Sequence, residues 1–176
     1  MSAGSALIPL FAHKAWCNAG MIAAFRGAPP EADPRQMAVA LYTLDHTSIV
    51  DQIFRARLTG EKTAFTAVVA TARPDLGQLA ATMDATDAWY LAYARGVDSA
   101  ELHQVVEFTF VADGEPGRMT RAEILAHVIA HGASHRGAIG QMLQAAGATG
   151  PPDMVTTFRR PSSPMTEDAF QGARER

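Results

Sequence analysis

Residues 124–143 read ILAHVIAHGASHRGAIGQML, an apolar stretch whose periodicity predicts one long helix. His127, His131 and His135 repeat in it every four residues, a spacing that stacks imidazoles along one side of a helix, as metal sites require. At about 100° per residue, Ile124, Val128, Ile139 and Met142 define an apolar arc. His131 and His135 fall near its middle and His127 at its edge. Two imidazoles are therefore expected to point into the core, where both ring nitrogens need partners. A divalent metal satisfies two adjacent imidazoles together; hydroxyls or backbone carbonyls satisfying each one separately are the plainer alternative.

A second amphipathic segment, Pro34 to Leu58, carries His46. Val39, Tyr42, Ile49, Val50, Ile53 and Phe54 lie within roughly a third of a turn of one direction, and His46 sits close to the centre of that arc. Three inward histidines on two helices can supply three nitrogens to one ion and leave other positions for water or substrate, the open coordination of a catalytic site.

The run HVIAHGASHRGAI at 127–139, taken with LDHTSIVDQIFRARLTG at 44–60, resembles the DinB family of the DinB/YfiT-like metalloenzymes. The H-x-x-x-H-R-G signature, the upstream histidine and the closing Leu-x-Gly carry the resemblance, which extends from the Trp16 and Asn18 region to about Met154. It implies an all-α, four-helix bundle in up-down-down-up order, usually dimeric. It also implies a divalent metal, zinc or nickel, held by His46, His131 and His135, the three residues that the arcs select. Relatives include transferases using low-molecular-weight thiols, while many members have no assigned reaction. Ala138 stands where the family commonly has Gln after Arg-Gly, and residues 155–176 match no family pattern.

Composition bounds the rest. A chain of 176 residues suits one domain, able to bury about 70% of the surface its unfolded form exposes. The expected division is a bundle over residues 1–155 and a partly disordered tail over 156–176. Cys17 is the single cysteine, which excludes an intramolecular disulfide and fits a reducing compartment. The first ten residues lack a basic region followed by a long apolar one, and no uninterrupted apolar run approaches the roughly 18 residues of a membrane span. A cytoplasmic location is expected. With a net charge of −3 and a pI near 6.0, the basic residues are dispersed among acidic ones, so no nucleic-acid footprint is expected.

Four helices are predicted: Ala6–Phe25, ending before Pro29 and Pro30; a second with Asp33 as N-cap and Pro34 at its first position, closed by Gly60; Pro74–Arg95; and a last one opened by a Thr120–Glu123 capping box and running to Gly147. Val105 to Val111, followed by a turn-rich cluster at 113–117, predicts a strand or hairpin before the last helix.

Other candidates read as structural. Cys17 is expected to be a buried thiol, with His13 one turn away at the surface or core edge and His103 in solvent. Asp45 and Asp51 fall off the His46 arc and are expected to be solvated or to orient a histidine; Arg136 is expected to pair near the bundle end. Tyr42 is placed to reach a metal-bound ligand. The function expected is Lewis-acid activation of a thiol or water for attack on a small electrophile, a thiol S-transferase-like detoxification. Metal-dependent hydrolysis and a non-catalytic, stress-linked dimeric module with a structural metal are the alternatives. Trp16, Ile22, Phe25, Trp89 and Tyr93 exceed what one small core consumes, so a homodimer through the first and third helices is expected.

Overall fold

A computed structural model of the chain describes residues 4–160. Four long helices carry the fold: α1 (Gly4–Arg26), α2 (Pro34–Thr59), α3 (Leu76–Gly96) and α5 (Arg121–Ala145). Between the last two lie one helical turn, α4 (Ser99–Leu102), and a hairpin of β1 (Val105–Thr109) and β2 (Pro116–Thr120); another turn, α6 (Val155–Phe158), follows α5.

The helix ends follow local chemistry. The Asp33 carboxylate accepts the Arg35 and Gln36 amides and Pro34 opens α2, which closes on Gly60 in the left-handed region (φ 75°). Thr120 and Glu123 form both halves of a capping box at the start of α5. α3 begins beyond Pro74 because the Asp75 carboxylate caps the Gln78 amide. The short α4 was not expected, although Asp98 and Glu101 form a second capping box there.

Cross-bundle contacts give the helix directions. Phe11 stacks on Tyr90 while Met21 and Ile22 share a core with Leu79 and Ala80, so α1 and α3 are antiparallel. His46 faces His131 and His135 while Phe54 meets His127, so α2 and α5 are also antiparallel. Leu41 and Leu44 join Leu79 and Met83, whereas the Tyr90 hydroxyl donates to the Asp51 carbonyl at 2.7 Å, so α2 runs parallel to α3. The order is up-down-down-up.

Two apolar clusters fill the bundle, one around Met21, Leu44, Met83, Ile139 and Leu143, the other around Phe11, Phe54, Tyr90, Ile124 and Val128. Between them lies a buried polar belt. Lys14 Nζ contacts Asp51 Oδ2 at 2.7 Å and Asp87 Oδ1 at 2.5 Å, and Asn18 donates to Asp87 Oδ2 at 2.8 Å. Burial alone would lower the Lys14 pKa, but Asp51 and Asp87 outweigh it and hold the amine charged. Burial pushes the Asp51 carboxyl up to about 6, against the pull of Lys14.

This belt corrects several expectations. Asp51 is buried beneath Lys14 and neither meets solvent nor orients a histidine. Thr47, Ser48 and Asp51 occupy the inward face of α2, which turns Val39 and Tyr42 outward, so the apolar arc misjudged its orientation. Arg136 occupies the buried face of α5 together with Val128, Gly132 and Ile139; His131 and His135 stand half-buried on its flank. Polar groups facing the core defeat an orientation drawn from apolar residues alone.

The hairpin pairs Phe108 with Gly117 and Thr109 with Pro116. A Cβ on Gly117 would lie 2.5 Å from Phe108 Cε2, so only glycine lets that ring cross the partner strand. Phe108 reaches Phe54 edge-on at 5.8 Å. Arg121 donates to the Leu58 carbonyl at 2.7 Å and the Tyr93 hydroxyl at 2.8 Å, tying the start of α5 to the ends of α2 and α3. α6 packs on α1, so chain–bundle contacts continue past residue 155. Residues 161–176 of the expected tail lie outside the described residues.

Candidate metal centre

His46 projects from the middle of α2 and His131 and His135 from successive turns of α5, and the three place one ring nitrogen each within 4.8 Å of one another. The three residues selected from the sequence therefore come together. His46 Nε2 lies 3.3 Å from His131 Nε2, and the His135 ring packs edge-on to His46 and His131, with centroids 4.9 and 4.4 Å away.

The tautomer of His46 follows from its other nitrogen. Nδ1 lies 2.7 Å from the Val68 carbonyl oxygen, which can only accept, so Nδ1 carries the hydrogen and the Nε2 lone pair points at the cluster. A backbone carbonyl behind the imidazole is a common outer partner of a metal-binding histidine. Sequence reasoning missed Val68 because it lies in the loop joining α2 and α3.

His131 is held less completely: its Nδ1 is buried with no hydrogen-bond partner among the described residues. The hydroxyl or carbonyl pairing that would make it an ordinary core histidine is missing. Burial, reinforced by His135, His46, His127 and Lys14, pushes its pKa down to about 4, and burial also lowers His135, with His46 adding to the effect. His131 and His135 are thus held toward the neutral form, and with the Nε2 lone pair of His46 they make a donor set suited to a divalent ion. Among the described residues, no fourth histidine, cysteine or carboxylate joins the group.

His127 continues the α5 stack, its ring 5.4 Å from that of His131, but it stands outside the nitrogen cluster. It lines, with His46 and His131, a cleft of about 240 Å³ whose other walls include Phe54, Val68, Phe108 and Phe110. A larger cleft, about 550 Å³, lies under the α2–α3 loop, and none of the three histidines lines it. Asp45 borders that larger cleft, with Oδ2 buried and unpartnered among the described residues. Tyr42 is 38% exposed and lines neither cleft, so the role expected for its hydroxyl finds no support. His103 is exposed, as expected, with Nδ1 2.6 Å from the Ser99 carbonyl.

The third and least anticipated arrangement is on α1. His13 lies at the core edge, 8% exposed, rather than at the surface, and Cys17, buried as expected, sits 3.2 Å from its Nε2. Both meet Asp153, which follows α5 and which no sequence pattern marked. Arg136 holds that carboxylate, its Nε donating to Oδ2 at 2.7 Å, and its Nη1 reaches Asn18 Oδ1 at 3.4 Å. The expected pairing of Arg136 is real, but it lies within the bundle rather than at its end.

Among the described residues, no helix is long and apolar enough to cross a membrane. No curated protein and no solved structure matches the chain significantly. The model of the DinB family matches residues 15–168, most of the chain and both histidine-bearing helices, and it reaches past residue 155, where no family pattern was expected; the chain belongs to that family.

Proposed function

We propose that this chain is a metal-dependent enzyme in which His46, His131 and His135 hold a divalent ion, zinc or nickel, that activates a thiol or a water for attack on a small electrophile. The observation that carries the proposal is an open nitrogen cluster beside an apolar cleft. A structural zinc site is normally closed by four protein ligands, and the described residues supply three here.

A bound ion supplies Lewis-acid chemistry, lowering the pKa of a coordinated water to about 7 in favourable sites. The chain does the rest. The Val68 carbonyl fixes the His46 tautomer, so Nε2 presents its lone pair without rearrangement. Phe54, Phe108 and Phe110 shield one side of the site from water and favour an electrophile with an apolar body. Thiol transfer is the preferred reaction and hydrolysis the near alternative. A homodimer belongs to the same proposal, with Trp16, 37% exposed on α1, at the interface; Ile22 is in the core and contributes nothing to it.

Protein expressed without a metal-binding tag should carry a divalent ion that His46→Ala, His131→Ala and His135→Ala each remove. His127→Ala should retain it. Full retention in the His46 variant overturns the ligand assignment. With cobalt in the site, millimolar small thiols should change the visible absorption; no change would exclude thiol transfer and leave hydrolysis or a structural role.

A further inference from the structure

Cys17 Sγ lies 3.2 Å from His13 Nε2 and 2.9 Å from Asp153 Oδ1, and the last two atoms are 3.5 Å apart. Nitrogen, sulfur and oxygen donors thus form a closed triangle, in which His13 and Cys17 are 8% and 1% exposed. The two α1 residues are four apart and share a helix face; Asp153 arrives from the far end of the chain.

The arrangement is built from several directions. Arg136, itself 2% exposed, donates from Nε to Asp153 Oδ2 at 2.7 Å and from Nη2 to Oδ1 at a longer 3.5 Å, so Oδ1 stays turned mainly to the thiol and imidazole. Pro151 packs directly on Gly20, where an added Cβ would meet its Cβ at 2.9 Å. Phe158 then lies edge-on to His13 at 5.7 Å and against Trp16 at 5.6 Å, covering the cluster.

A nucleophilic thiol does not fit. Cys17 S–H donates to a carboxylate that can only accept, and the acid touches the thiol rather than standing behind the imidazole, as an activating relay requires. Burial and that hydrogen bond push the thiol up to about 12. A metal ion fits better. Bonds of about 2.3 Å to sulfur and 2.0–2.2 Å to nitrogen and oxygen imply tetrahedral edges of roughly 3.3–3.6 Å, so chelation asks mainly that Cys17 and Asp153 separate by several tenths of an ångström.

We propose that His13, Cys17 and Asp153 form a second divalent-metal site, for a borderline-soft ion such as zinc, that fastens residues 151–158 to α1. It does not depend on the reading of the His46 cluster. On binding, the ion takes the sulfur lone pair and the thiol proton leaves to solvent. Thiolate and carboxylate then offset two of the three positive charges carried by the ion and by Arg136, which stays on Asp153 Oδ2. The mixed donor set distinguishes it from the all-nitrogen cluster, since thiolate sulfur favours softer ions.

Cys17 is the chain's one cysteine, which makes it a specific reporter. The full-length, metal-free protein, kept reduced without thiols, should develop sulfur-to-cobalt charge-transfer absorption in the near ultraviolet when titrated with cobalt alone. The band should persist in His46→Ala/His131→Ala, which removes the other cluster, and vanish in Cys17→Ser. Asp153→Asn and His13→Gln keep the thiol and should weaken cobalt binding at this site about 10-fold or more. Absence of the band at saturating cobalt in the wild type overturns the proposal. So does a band of unchanged affinity in both Asp153→Asn and His13→Gln, which would mean a lone thiolate bound the ion.

Discussion

On α5, His131 and His135 face His46 of α2, whereas their neighbour Arg136 turns into the bundle and holds Asp153 against His13 and Cys17. The two clusters are one residue apart on the helix and opposite in construction. The first is made of ring nitrogens alone, with His131 Nδ1 left without a partner among the described residues, and it borders a cleft. The second combines a thiol, an imidazole and a carboxylate already tied to a guanidinium, under an aromatic cover. The difference teaches that chemistry on this scaffold is set by which flank of the belt a residue reaches: one flank is open, and the other is closed by a returning segment.

The largest effect expected is at the belt that separates them. Lys14→Met leaves Asp51 and Asp87 buried without their shared cation, and breaking such a pair costs about 3–5 kcal/mol. Chemical denaturation should register that loss equally in metal-loaded and metal-free protein. A loss confined to the metal-loaded form would mean that the belt serves a site rather than the scaffold.

An intermediate effect is expected from pH, chiefly through the His131 side of the molecule. In chelator-treated protein His131 has a folded pKa near 4 against 6.5 for the free side chain, and His13, His127 and His135 are lowered as well. Below about pH 6.5 the unfolded chain therefore binds more protons than the native one, so stability is fully present above that pH and falls as pH drops toward 4. Asp51, raised to about 6, acts in the opposite direction and softens the fall. Melting temperature between pH 8 and 5 should decline, and His131→Gln should flatten the decline. An unchanged slope in that variant would place the protons elsewhere.

The smallest effect on stability is expected at Gly20, whose added methyl would press on Pro151. Overpacking of this kind costs about 1–3 kcal/mol, and the helix gains about 1 kcal/mol when glycine becomes alanine, so Gly20→Ala should lose about 0–2 kcal/mol, less than Lys14→Met. It should nevertheless lift residues 151–158 and weaken cobalt binding at Cys17 several-fold, with the His46 cluster untouched. Equal weakening at both would show that the clusters are coupled.

Much of this molecule was readable before any contact was known. The four long helices, the Asp33 and Thr120 caps and the hairpin rest on spacing within single segments, because helical periodicity and capping are local, whereas the convergence of His46, His131 and His135 rests on the family resemblance as well as on the arcs. The reasoning behind that convergence was only partly right, since the histidines stand on the flank of the core stripe and Arg136 stands in it.

The sequence by itself determined where the helices begin and end and which histidines share a face. Only the tertiary structure decided what those faces meet. Asp51 falls off the apolar arc of α2, which points to solvent or to a histidine partner; Lys14, 37 positions away on another helix, instead lets it be buried. Val68 and Asp153 carry no pattern because each acts from a loop or returning segment, where position is set by packing rather than by periodicity. Burial of charge is a property of pairs, and pairs distant in the chain become visible only when it folds.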